Sequence, residues 1–198
     1  MNITKTAAVL SLTAAAFALG HANGIAANPS QQELDAKAME AAWDAMGQTG
    51  RMHKLIEPFV GEWKAEAVFY MPDGEMKSTG KMVNKWIMDG KILEQSYVGD
   101  MMGEEFRGYG LWGYSAAAET FQTLWCDSMT THMDFNTEMV VSDDGKTFTS
   151  DGDQFVAPGM KMAYQDVVQI VSENEHTFTR SLKMPGGLEK SMEITYTR

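Results

Sequence analysis

The residues best suited to chemistry are a few histidines and one short acidic stretch, and none of them forms a recognised catalytic pattern. Asp127, Ser128 and His132 supply the residue types of a nucleophile system, but no Gly-x-Ser-x-Gly turn presents a serine there. A His-Glu-x-x-His pair and a glycine-rich phosphate loop are missing from the sequence too. The sequence therefore predicts no catalytic residue. It leaves enzymatic activity open and favours a binding protein.

Histidine and methionine raise haem and copper as minor alternatives. Haem ligation needs an imidazole whose second nitrogen is held by a partner, and no Cys-x-x-Cys-His or paired-histidine spacing supports it at His132 or His176. His176 follows a turn, a position that suits either a pocket mouth or an exposed loop. The 17 methionines include Met101-Met102, and thioethers can bind Cu(I), but methionine also fills irregular cores. We predict no cofactor and no metal.

Aromatic residues on alternating positions point instead to an apolar binding cavity. Such sites combine apolar walls with a few polar groups that orient the ligand. Gly108 and Gly110 share a face with Trp112, which lets a ligand or another side chain approach the backbone closely. Asn84 and Glu94 are further polar candidates, and an internal salt bridge or a place at the open rim remains the alternative for every polar candidate. The predicted ligand-binding residues are Trp63, Trp86, Trp112, Trp125, Asp127 and Arg180.

The elements that must position these residues are mostly β-strands. A capping box at Ser30 and Glu33 with helical spacing predicts a helix over residues 30–47, and a short second helix covers 52–56. From Gly61 onward the hydrophobic period is two, and Gly, Pro, Asp and Asn turns separate about ten β-rich segments without room for a crossover helix. We predict an all-β, antiparallel, up-and-down barrel with an N-terminal helix. A two-sheet sandwich is the alternative, because periodicity cannot show closure.

Composition and the N-terminal residues bear on partners and compartment. A net charge of −11 repels phosphate backbones and argues against nucleic acid as a partner. Lys5 followed by an uncharged apolar run over 7–19 predicts a signal peptide cleaved after Ala22, with Ala27 as the alternative, and hence a periplasmic or secreted protein. No later stretch approaches the roughly 20 apolar residues of a membrane span. The single cysteine, Cys126, allows no intramolecular disulfide.

Several sequence blocks resemble a known group. The stretch from His53 to Trp63 resembles the Gly-x-Trp entry of calycin barrels, in which a short helical segment closes one end and the tryptophan lies on the floor. The blocks 57–63, 97–103, 125–129 and 192–197 are similar to the bacterial family called domain of unknown function 1579. The resemblance covers roughly residues 52–198. It implies a lipocalin-like barrel and supplies no catalytic residue.

These observations predict three segments: a signal peptide over 1–22, a helical segment over 23–50 and the barrel over 51–198. The function we expect is that of an exported protein that holds a small apolar or amphipathic ligand inside the barrel. The alternative is an interaction module with a solidly packed barrel, whose N-terminal helix would dock on a partner through Met39, Trp43 and Met46. The sequence does not predict the oligomeric state.

Overall fold

The computed structural model describes residues 36–198, with side chains described from residue 39 on. The predicted signal peptide and the beginning of the predicted first helix lie outside these residues. Residues 49–198 form one compact unit, and the described part of the first helix belongs to another. In the described part of the chain, no helix is long and apolar enough to cross a membrane.

The helical elements agree with the predicted positions. Helix α1 spans Ala36–Met46, and helix α2 spans Arg51–Ile56. A single 3-10 turn, Glu57–Phe59, follows α2 directly and contains Pro58 near its start, where a missing N–H costs nothing. Gly61, with a φ of 124°, then turns the chain into the first strand. The short α2 and its 3-10 turn thus lead straight into the sheet.

The described residues of the second unit form one antiparallel sheet in which most strands pair with their neighbours in sequence, and β1 also pairs with β11. This single sheet excludes the sandwich and confirms the antiparallel up-and-down barrel arrangement. The order across the sheet is β6-β5-β4-β3-β2-β1-β11-β10-β9-β8-β7. The strands are β1 Gly61–Met71, β2 Gly74–Ile87, β3 Ile92–Met101, β4 Glu104–Ser115, β5 Thr120–Asp127, β6 Met133–Asn136, β7 Val140–Val141, β8 Thr147–Ala157, β9 Met160–Ser172, β10 Glu175–Met184 and β11 Gly187–Thr197.

The strand count differs from the expected ten because one expected strand is broken. The segment predicted over 132–141 is two short strands, β6 and β7, which are the two edges of the sheet. Between them the backbone bonds to side chains: the Asn136 Oδ1 accepts from the Glu138 N–H at 3.3 Å, and the Thr120 Oγ1 accepts from the Met139 N–H at 2.9 Å. The chain therefore crosses from one sheet edge to the other at this point, and Thr120 ties the crossing to the start of β5.

The two ends of the rolled sheet differ. The turns after β1, β3, β5, β8 and β10 lie at one end, which we call the open end; α2 and the 3-10 turn pack at the other, the closed end. A core at the closed end surrounds Ile56 and Phe59, which are both nearly inaccessible to solvent. It also includes Phe121 and Phe148, whose ring centroids are 5.5 Å apart. Because these rings come from β5 and β8, this core joins strands near opposite edges of the sheet.

Candidate functional site

The floor of the rolled sheet is built around the carbonyl oxygen of Phe59. The indole N–H of Trp63 and the amide of Asn84 both donate to this oxygen, each at 2.8 Å. Arg198 covers Trp63 with its guanidinium 4.2 Å from the ring centroid, and donates to the carbonyl of Val60 at 2.9 Å. Trp63 therefore lies buried at the closed end, with its indole N–H bonded to the backbone of the floor.

His176 lies in this floor as well, and it is neither at a pocket mouth nor in an exposed loop as the sequence suggested. Its ring stacks on the Tyr196 ring, with the centroids 4.5 Å apart, and makes an edge contact with Trp63 at a centroid distance of 4.3 Å. Burial, with the nearby charge of Arg198, lowers the pKa of His176 to about 3. The imidazole is therefore neutral across the physiological range, a state in which it can pack among aromatic rings.

Aromatic rings fill the space above the inward-facing glycines. A Cβ added at Gly110 would lie 3.0 Å from the Trp125 ring, and one added at Gly108 would collide with the same ring. Tyr97 covers Gly99 in the same way. The close approach predicted at Gly108 and Gly110 is thus made by a side chain of the neighbouring strand.

Burial of the inward-facing side chains falls from the closed end to the open end. On β1, Trp63, Ala65 and Ala67 are at most 3% exposed, whereas Phe69 is half-buried and Met71 is 51% exposed. Strands β8 and β11 follow this gradient. Strand β9 does not, because Tyr164 in its open half is 2% exposed while Ile170 near the closed end is half-buried. Half-buried inward side chains of the open half are Met76, Met101, Phe106, Met162, Leu182, Met184 and Met192. The open half of the interior is therefore lined by apolar side chains that solvent still reaches.

A polar cluster lies within this partly accessible lining. Arg180 donates to both carboxylate oxygens of Asp166, at 2.8 Å each, and to Gln154 at 3.2 Å. Its guanidinium also lies 4.0 Å from the ring centroid of Tyr164. Asp134 approaches Arg180 at 3.6 Å from the β6 edge. We call Arg180, Asp166, Asp134 and Gln154 the Arg180 cluster.

The electrostatics of the Arg180 cluster follow from its position. Burial raises the pKa of Asp166; Arg180 opposes this shift and Asp134 adds to it. Burial alone would lower the pKa of Arg180, but the hydrogen bond and charge of Asp166 raise it above its ordinary value. Arg180, Asp166 and Asp134 have 16%, 13% and 19% of their side-chain surface exposed. The cluster thus lies on the inner face of the sheet, with a minor part of its side-chain surface exposed to solvent.

The structure brings only part of the predicted ligand-binding set together. Trp125 and Arg180 are linked through Asp134, which is the register partner of Trp125 and lies 3.6 Å from Arg180. Trp63 and Trp112 lie in the packed core, and the Trp86 indole donates to Glu57 at the closed end at 2.8 Å. Asp127 lies at the open rim.

At the open rim, Asp127 stabilises the turn that follows β5. Its Oδ1 accepts from the Met129 N–H at 3.0 Å and from the Thr130 N–H at 3.2 Å.

Three residues of the Arg180 cluster were missed from sequence. Asp166 carried a usable signal, since it alternates with Tyr164 and Val168 on β9 and so places a charge on an apolar face. Asp134 and Gln154 carried none, because each is an ordinary polar residue near a turn. Glu94, a sequence candidate, instead pairs with Lys85 at 3.0 Å near the outer surface.

Metal-binding side chains do not converge within the described residues: no group of three or more His, Cys, Asp or Glu residues could hold an ion there. His132 bonds to a single carboxylate, with its Nε2 3.0 Å from Asp134. His132 also meets the edge of Phe155, with 5.9 Å between ring centroids.

Comparison with known proteins agrees with this architecture. The family model described as protein of unknown function (DUF1579) matches residues 48–198. The S-type phycobiliprotein lyase CPES from Guillardia theta is similar, with 13% identity, a TM-score of 0.51, and coverage of 78% of this chain and 96% of that one. Rv2717c from M. tuberculosis is similar at 11% identity and a TM-score of 0.51, covering 76% and 99%. These two structures share the fold. No curated protein matches the chain.

Proposed function

This chain belongs to the DUF1579 family, whose function is unknown, and we propose that it is an exported protein that binds a small apolar or amphipathic molecule in the open half of its rolled sheet. The supporting observation is the burial gradient of the inward side chains. The closed half is filled by packed aromatic rings, while the open half keeps apolar side chains in contact with solvent. Covering those side chains with an apolar ligand would remove them from water.

Methionine gives this lining a particular character. Met76, Met101, Met162, Met184 and Met192 all face inward in the open half and are half-buried. The unbranched thioether adapts to ligands of irregular shape and contacts aromatic rings well. Full burial of one such side chain is worth about 1.5–3 kcal/mol. Because these side chains are already half-buried, a ligand that covers them gains roughly half of this value from each. Several methionines together with Phe69 would supply several kcal/mol, against which the entropy cost of association counts.

The test uses N-phenyl-1-naphthylamine, a neutral fluorescent probe that brightens in apolar surroundings. We expect the wild-type protein to enhance its emission and to melt at a higher temperature when the probe is present. Met76→Glu places a charge in the apolar wall and should weaken binding about tenfold or more, a cost of at least ~1.4 kcal/mol.

Thr79→Glu is the matched control, because Thr79 lies on the exposed face of the same strand. It adds the same charge and should bind the probe as the wild type does. Circular dichroism checks that both variants fold. Absence of probe binding by the wild type, or equal binding by the two variants, would contradict a ligand site in the open half.

A further inference from the structure

The charges of the Arg180 cluster determine which kind of ligand head group can bind beside it. A lone buried arginine would favour an anionic head group such as a carboxylate. Here, however, one guanidinium faces two carboxylates, Asp166 and Asp134. The charge of this part of the lining is therefore negative when both acids are ionised and His132, which bonds to Asp134, is neutral. An entering carboxylate would then be the third.

Most of the hydrogen-bonding capacity of Arg180 is used by protein partners. Asp166 holds its Nε and Nη2 in a bidentate pair, at 2.8 Å each, which matches the fork geometry of a guanidinium. Gln154 takes Nη1 at 3.2 Å, and Tyr164 covers one face of the group at 4.0 Å. Three of the five guanidinium N–H groups are thus used. A ligand anion that bound the remaining two would approach the carboxylates of Asp166 and Asp134, and their charges would repel it.

Asp134 is the acid with unused capacity. Its Oδ2 lies 3.6 Å from the Arg180 Nη1, beyond hydrogen-bond distance, and its Oδ1 meets one nitrogen of His132 at 3.0 Å. A carboxylate has about four lone-pair directions, so most of them remain open here. Asp134 also lies opposite Trp125 in the sheet register. The Asp134 side chain is 19% exposed, so its open lone pairs can accept from the N–H groups of a cation.

The other charges nearby do not reverse this balance. Lys161 lies over the Phe155 ring at 5.1 Å from its centroid and is exposed, so water screens its charge. Asp127 lies at the end of β5, two residues beyond Trp125, and adds negative charge at the rim. Burial is the main reason that the pKa of Asp166 is raised, and the charge of Asp134 adds to the shift.

We propose that the bound molecule is an amphiphile with a cationic, hydrogen-bond-donating head group, an alkyl amine in its simplest form, and that its ammonium binds the carboxylate of Asp134. This inference rests on the proposed binding site in the open half. Asp134 is the anchoring residue, while Arg180 holds Asp166 and shapes the wall. The apolar chain extends along the methionines of the open half.

The test compares three probes with the same twelve-carbon chain: dodecylamine, 1-dodecanol and dodecanoate. Each displaces N-phenyl-1-naphthylamine from the wild-type protein below its micelle concentration. We expect dodecylamine to bind at least about tenfold more tightly than dodecanol, and dodecanoate to bind most weakly. Asp134→Asn should bring dodecylamine to the affinity of dodecanol and leave dodecanol unchanged.

Asp127→Asn is the matched control: it removes the same charge, and its retained Oδ1 can still accept the turn N–H groups. It should keep the preference for the amine. Equal affinities of dodecylamine and dodecanol for the wild type, or tighter binding of dodecanoate, would overturn the cationic head group while leaving the proposed function intact. If no twelve-carbon probe and no naphthylamine binds, both inferences fail. The comparison in the wild type holds even if Asp134→Asn does not fold.

Discussion

At the scale of single residues, His176 lowers the stability of the fold, because its neighbours bury one of its nitrogens without a hydrogen-bond partner in the described part of the chain. Its Nδ1 is buried without a hydrogen-bond partner among the described residues, and so is the Oδ1 of Asn84. Leaving a buried polar atom unsatisfied costs about 1–3 kcal/mol. The stack on Tyr196 and the edge contacts with Phe59 and Trp63 use only the ring shape of His176. A phenyl ring makes the same kinds of stacking and edge contacts and leaves no polar atom unpaired.

We therefore predict that His176→Phe stabilises the protein, increasingly so in acid. The unfolded chain binds a proton at the ordinary histidine pKa, whereas burial lowers the pKa of His176 in the folded protein to about 3. The free energy of unfolding thus falls as the pH drops below about 6.5, by up to roughly 1.4 kcal/mol per pH unit. The variant lacks this loss. Urea unfolding from about pH 7 to 4.5 measures the difference, in a range above most carboxylate titrations.

His132→Phe is the control, since His132 is 44% exposed. It should keep the acid sensitivity of the wild type. An unchanged slope in His176→Phe would show that His176 is not the group that titrates.

Strand β4 shows that an element can be shaped by the side chains of its neighbour. Gly108 and Gly110 alternate on its inward face, and Trp125 of β5 lies over both. Without Cβ atoms on β4, the indole can lie flat against the backbone. The ring therefore lies on the inward face of the sheet, over β4. The glycines thus determine where the wall of the open half runs.

We predict that Gly108→Ala destabilises the protein by about 1–3 kcal/mol, because the added methyl group overlaps the Trp125 ring. Trp125→Leu should relieve most of this penalty when the two changes are combined. A double-mutant cycle by chemical denaturation measures the coupling.

Gly186→Ala, in a turn where an added Cβ meets nothing within 4 Å, is the control and should be nearly neutral. Additive effects of Gly108→Ala and Trp125→Leu would contradict a direct conflict between the two side chains.

The molecule as a whole relies on its core for stability. The described residues contain one free cysteine, Cys126, and hence no disulfide. The sheet is held together by the closed-end core and by local links such as the one between Thr120 and Met139. Its open end carries several exposed apolar side chains, among them Met102 and Met129. This asymmetry, with one end packed and the other accessible, is the basis of the proposed binding role.

Export is the prediction that belongs to the whole chain. Expressed from its full sequence in a Gram-negative host, the protein is expected in the periplasmic fraction, with Asn23 as its first residue by intact-mass measurement. Signal peptidases require small residues at the cleavage site, so Ala22→Lys should block cleavage there or shift it to follow Ala27. A cytoplasmic protein that retains residues 1–22 would contradict the assignment.

The sequence by itself determined the type and order of the strands. Alternation along Trp63, Ala65 and Ala67 and the turns at residues such as Gly74 depend on neighbours within one strand or hairpin, so they can be predicted from local pattern. That pattern also identified Arg180 as an inward polar residue. The segment over 132–141, predicted as one strand, is two short edge strands. Between them the backbone bonds to side chains instead of a neighbouring strand, so the alternating pattern does not mark the break.

Only the tertiary structure decided which side chains meet. Arg180 pairs with Asp166 across one strand pair and faces Asp134 because the sheet rolls until distant strands approach each other. His176 is buried for the same reason, since Phe59 and Tyr196 reach it from other elements. Alternation states that a residue faces inward, but not what lies opposite. The curvature and register of the sheet set that, and with it the charge of the site.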